Sequence, residues 1–173
     1  SDLTVTLGAS SAVKLKVYGG DAGVGIGTQG GGTSVAMSGE SEIEVRGWSV
    51  NSLYGIDAGN GANAITLNGG ARVAAIGNFA DDVEGIHLNG DGNSVVMNGH
   101  ALVYAGGYYS IAAAAGIVSR GDYATITMND DSRIAVDGPG VEGARGIRMS
   151  GYGSSVALND NAAILVAGDG SGN

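Results

Sequence analysis

Asp81, Asp82 and Glu84, in the stretch NFADDVEG, are the densest group of carboxylates in the chain. Two carboxyl groups held apart across a glycosidic bond can protonate the leaving oxygen and attack the sugar or activate water against it. No basic residue accompanies these three in sequence to bind an acidic sugar or take up a proton, so they read as a solvated acidic loop. Asp130 and Asp131 stand at a corner, where turn chemistry already accounts for Asp. His87 and His100 are the only two histidines. His87 falls in a column with Gly27, Asp57, Val118 and Arg148, and a His beside an Asp without a nucleophile makes no triad. NGDGN and NDD offer oxygen ligands but match neither the EF-hand loop nor the nonapeptide calcium repeat. With no cysteine, thiolate sites are excluded as well. The sequence therefore predicts no catalytic residue, no metal and no cofactor, and a non-enzymatic protein.

The residues that remain are aromatic. The chain has one Trp, one Phe and seven Tyr, and Trp48, Phe79, Tyr108 and Tyr109 fall in the connections beginning GWSVNSLY, GNFADDVE and GYYSIAAAA. Subtracting a period of about thirty residues aligns Trp48 with Asn78 and Tyr108, and Ser49 with Phe79 and Tyr109. Rings gathered on one ridge can stack on sugar faces or anchor a protein interface, so these four are the candidate contacts for a partner or a glycan. The competing expectation is that they tuck inward and seal the loops, with SIAAAAG as an apolar lid.

That alignment rests on a repeat. Gly-Ile recurs at 25, 55, 85, 116 and 146, spacings of 30, 30, 31 and 30. Two alternating apolar phrases keep step, one at Val5-x-Leu7, Val35-x-Met37, Ile65-x-Leu67, Val95-x-Met97, Ile126-x-Met128 and Val156-x-Leu158. The other runs Val13-x-Leu15, Ile43-x-Val45, Val73-x-Ala75, Val103-x-Ala105, Ile134-x-Val136 and Ile164-x-Val166. Alternation within a phrase is the pattern of a strand with one buried face. A fixed period of this length means stacked units that bury their apolar faces on one another. The expected fold is all-β, a parallel β-helix with three short strands per coil and about six coils across residues 1–173.

Gly8, Ser38, Asn68, Asn98, Asn129 and Asn159 form a corner column. They are followed by Ala9, Gly39, Gly69, Gly99, Asp130 and Asp160, types suited to left-handed bends. Stacking would also set Lys14 over Glu44 and Glu42 over Arg72, though Lys16 over Arg46 opposes like charges. An antiparallel sandwich of hairpins is the alternative, since Asn-Gly between alternating strands is a hairpin signal. The outward column Thr6, Ala36, Thr66, Val96, Thr127 and Ala157 lacks the regular threonines of an ice-binding face.

A formal charge of −9, with seventeen acidic and eight basic residues and no basic cluster, argues against a nucleic-acid partner. No apolar run is long enough to span a membrane, and SDLTVTLG at the start has no export-signal character. The chain opens inside its repeat and closes on GDGSGN, which suggests a segment of something longer.

The phrase GIHLNGDGNSVVMNGHALVYAGG resembles the passenger region of bacterial autotransporters, particularly the adhesin type. That resemblance implies a right-handed β-helix displayed at a Gram-negative cell surface, exported with a signal peptide and a C-terminal barrel. It further implies a surface adhesin or self-association module, whose partner is a host surface protein, a glycan or another copy. The other readings are a carbohydrate-active β-helix enzyme and a structural fibre or spacer subunit.

Overall fold

The computed structural model describes residues 3–30 and 32–168; the closing residues 169–173 of GDGSGN lie outside it. Among the described residues every regular element is a strand. In chain order they are β1 (Leu3–Leu7), β2 (Ala12–Thr28), β3 (Thr33–Met37), β4 (Glu42–Ala58), β5 (Ala64–Leu67), β6 (Arg72–Asn89) and β7 (Ser94–Met97). There follow β8 (Leu102–Gly107), β9 (Ile111–Arg120), β10 (Thr125–Met128), β11 (Arg133–Gly138), β12 (Val141–Ser150), β13 (Ser155–Leu158) and β14 (Ala163–Gly168).

Every ladder is parallel and joins equivalent segments of successive coils. β1, β3, β5, β7, β10 and β13 form one face. Within it Ile65 pairs with Val35 on one side and Val95 on the other, so the antiparallel sandwich is excluded. A second face joins the first halves of β2, β4 and β6 to β8, β11 and β14. A third joins their second halves to β9 and β12. The result is a β-solenoid of about six turns, roughly 30 residues apart.

Among the described residues three separate strands per coil occur in the fourth and fifth coils. In the first three, the second and third strands run on as single strands of 17 or 18 residues. These long strands turn through Gly19, Ser49 and Phe79, whose φ angles of 66°, 55° and 55° are left-handed. The break comes where the period slips: Gly77 pairs with Gly107 but Ala80 with Ile111, so one extra residue enters between them. In the next coil Pro139, which has no amide hydrogen to give to a ladder, keeps the break open.

The inward columns are closed. Ile43, Val73, Val103 and Ile134 are fully buried, as are Ile56, Ile86 and Ile117, and Met37, Leu67, Met97 and Met128 join the same cluster. The same columns in the first and last coils have a neighbour on one side only, and Val156, Leu158 and Val166 are accordingly exposed. At the corner, Asn98 donates to Asn68, Asn129 to Asn98 and Asn159 to Asn129, each at 2.7 Å. The residue after each has a positive φ, from 52° at Ala9 to 70° at Gly69 and Gly99.

Gly-Ile recurs for a steric reason. A Cβ on Gly85 would stand 2.5 Å from Val103 Cγ1 and 2.7 Å from the Gly116 carbonyl, and one on Gly116 would stand 2.2 Å from Ile134 Cγ2. Here the third face approaches the second so closely that the position before each inward Ile cannot carry a side chain.

Candidate functional site

Because the long strands bend at Ser49 and Phe79, the residues on either side of the bend point in different directions. Val50, Ala80, Ile111 and Val141 turn inward and are buried, sealing this corner. Trp48, Phe79, Tyr108 and Tyr109 turn outward, with exposures of 43%, 47%, 69% and 49%. The inward-tucked arrangement is thus overturned for the rings, while part of SIAAAAG does go inside as Ile111 and Ala114. Backbone geometry sorts the two sets: Phe79 adopts a left-handed conformation that costs a non-glycine residue roughly 1–2 kcal/mol, and its ring is held in solvent.

The outward rings meet. Phe79 and Tyr109 stack at 5.1 Å between centroids with planes 7° apart. Trp48 sets its edge against both, at 5.5 Å from each. Tyr108 stands beside them, its backbone amide donating to Asn78 Oδ1 at 3.2 Å. Three of the four candidates, Trp48, Phe79 and Tyr109, therefore form one exposed aromatic patch spanning three coils, with Tyr108 exposed next to it in sequence but outside the ring contacts. A shallow groove of about 190 Å³ opens on one side, lined by Lys16, Val17, Tyr18, Arg46, Gly47, Trp48 and Asn78. A wider hollow of about 470 Å³ lies on the other side between Tyr104, Tyr108, Asp137 and Pro139. There the Tyr104 hydroxyl donates to Asp137 Oδ1 at 2.6 Å, and burial together with that carboxylate pushes the phenol's pKa up.

Elsewhere the acid–base residues differ from the sequence reading. Glu84 is not a solvated loop residue: it is buried, and its Oε2 lies 2.7 Å from His87 Nδ1. His87 Nε2 faces Asn89 Oδ1 at 3.3 Å, and Tyr54 packs edge-on against the imidazole at 5.0 Å. Burial alone would lower the pKa of His87, but the hydrogen bond and charge of Glu84, helped by Asn89 and Asp57, raise it. Asp57 is in register with His87, and burial raises its carboxyl pKa.

The expectation that no base accompanies these acids is also corrected, since Arg145 and Arg148 join Asp82 and Glu84 around a small hollow. The strand alternation hid this, because the arginines arrive from coils two periods away. The hollow measures only about 10 Å³, so it admits no sugar ring. Asp81 is exposed, and His100 lies at the surface, 3.7 Å from Asp131. Asp130 caps the Gly99 amide at 2.7 Å. Among the described residues no three His, Asp or Glu side chains converge to hold a metal ion.

Two polar features escaped the sequence. Asn63 and Asn93 form a second, buried ladder: Thr33 N donates to Asn63 Oδ1 at 3.0 Å, and Asn63 Nδ2 to Asn93 Oδ1 at 2.8 Å. Their spacing of thirty residues was the available signal. Arg72 bridges Glu42 at 2.5 Å, as its register predicts, but Lys14 turns aside from Glu44 to pair with Glu42 at 2.8 Å.

No helix of the described residues is long and apolar enough to cross a membrane. No protein-family model matches the chain, and neither a curated protein nor a solved structure matches it significantly.

Proposed function

We propose that the chain is a non-enzymatic adhesive module of a bacterial surface protein of the autotransporter-passenger type, presenting its aromatic ridge to a host molecule, a glycan or another copy of itself. The observation that carries this reading is the exposed, mutually packed cluster of Trp48, Phe79 and Tyr109. Exposed aromatics in mutual contact are costly to leave bare in water, and they are the side chains that dominate binding hot spots. The solenoid serves as a stiff support, since strand ladders and Asn stacks fix each ring relative to the next coil. The repeat phrase's resemblance to autotransporter passengers supports the surface location. The test is retention on immobilised host matrix proteins, on glycans and on the chain itself, with a parallel search for polysaccharide turnover. Retention without turnover is expected; turnover of any polysaccharide would overturn the reading in favour of a carbohydrate-active enzyme.

A further inference from the structure

The groove beside Trp48 carries a basic side chain that no carboxylate among the described residues answers. Lys14, Lys16, Arg46 and Arg72 put half of the chain's eight basic residues on one sheet face of a protein with a net charge of −9. Glu42 and Glu44 answer three of them. Glu42 takes Lys14 and Arg72, while Glu44 takes the fork of Arg46 at 2.8 and 3.0 Å. Among the described residues Lys16 has no acidic partner within ion-pair distance. It stands directly over Arg46 on the next coil, a like-charge placement in which Glu44 answers Arg46 and no described carboxylate answers Lys16.

One column further along the strand, Tyr18 is in register with Trp48, and both rings are exposed, Tyr18 at 77%. One unpaired cation, Lys16, and two flat rings thus line, with the Glu44-paired Arg46, a groove of about 190 Å³, below the ~300 Å³ of an ordinary small-molecule pocket. Asn78 completes the lining; its Oδ1 is occupied by the Tyr108 amide. The hollow beyond Tyr108 carries Asp137 instead of a cation, so positive charge is confined to one end of the ridge.

We infer that this groove binds a carboxylate-bearing sugar, a uronic acid residue, with its ring face on Trp48 and Tyr18 and its carboxylate on Lys16. The inference rests on the adhesive reading of the ridge and names its ligand class. Rings supply apolar flat surface that suits the C–H face of a pyranose. The unmatched ammonium supplies an ion pair, with hydrogen bonds charged on both sides, that a neutral sugar cannot form.

Trp48 is the only tryptophan, so its fluorescence reports on one ring, at the edge of this groove. Titration with digalacturonate, short enough to stay clear of Asp137, is expected to give a saturable change, and its dimethyl ester none. Lys16→Gln, at an exposed position, is expected to weaken the response about tenfold or more with an unchanged circular-dichroism spectrum. No saturable response, an equal response to the ester, or full retention in Lys16→Gln would each overturn the inference. Loss of adhesion when the ridge rings are removed, in a protein that ignores digalacturonate, would discard the uronate and leave the adhesive ridge. The converse would discard the ridge's adhesive role and keep the sugar site.

Discussion

Glu84 and His87, three residues apart on one strand, face each other at 2.7 Å with side chains only 6% exposed. A buried carboxylate so placed favours the imidazolium over the neutral ring. The pair therefore couples protonation of His87 to the integrity of the third face.

Stability should consequently depend on pH in a definite direction. His87 has a folded pKa above its ordinary value because Glu84, with Asn89 and Asp57, outweighs burial. Its contribution is present in full below the unfolded imidazole pKa of about 6.5 and is lost as pH rises through the folded value. Urea unfolding is expected to show a midpoint that falls as pH rises above about 6.5, with the fall reduced in His87→Gln. An unchanged slope in that variant would remove His87 as its source.

Steric contact between faces makes a second prediction. Gly85→Ala would place its methyl carbon 2.5 Å from Val103 Cγ1, and such overpacking is expected to cost about 3 kcal/mol. Gly30→Ala is the control, since a Cβ there meets nothing within 4 Å. Denaturant midpoints of the two variants, compared with the parent, check the difference.

The two Asn ladders should differ in weight. Asn98→Ala removes two 2.7 Å bonds from a half-exposed stack and is expected to cost about 1 kcal/mol. Asn63→Ala strips partners from buried groups including the Thr33 amide and is expected to cost roughly 2–3 kcal/mol. Equal losses in equilibrium unfolding would contradict this ranking.

Ser41 and Ser132 are fully buried, and their hydroxyls have no partner among the described residues. Ala71 and Ala101 occupy the same column. Ser41→Ala and Ser132→Ala are therefore expected to raise stability by about 1 kcal/mol each, measured as a higher urea midpoint.

The period, the parallel stacking and the inward columns were legible because each coil must repeat the geometry of the last, so spacing and alternation carry the fold. Tyr109 over Phe79 follows from the same arithmetic, and so does Lys16 over Arg46. Arithmetic along columns cannot say which way a ring points where a strand bends. The left-handed turn at Ser49 and Phe79 decides that, and nothing in the residue type Phe announces it. Nor does column arithmetic reveal diagonal partners: Lys14 reaching Glu42, or Arg145 and Arg148 sharing a hollow with Asp82 and Glu84. Long side chains choose among several neighbours, and alignment names only the one directly opposite.

The central claim is that the exposed ridge is the adhesive surface. Trp48→Ala, Phe79→Ala and Tyr109→Ala combined remove all three mutually packed rings while leaving the buried Val50, Ala80 and Ile111 in place. The most direct measurement is adhesion and self-association of cells displaying this variant, with circular dichroism confirming the β-solenoid in the purified chain. An unchanged fold and loss of binding are expected; full retention of both adhesion and self-association by a folded variant would remove the ridge as the adhesive surface.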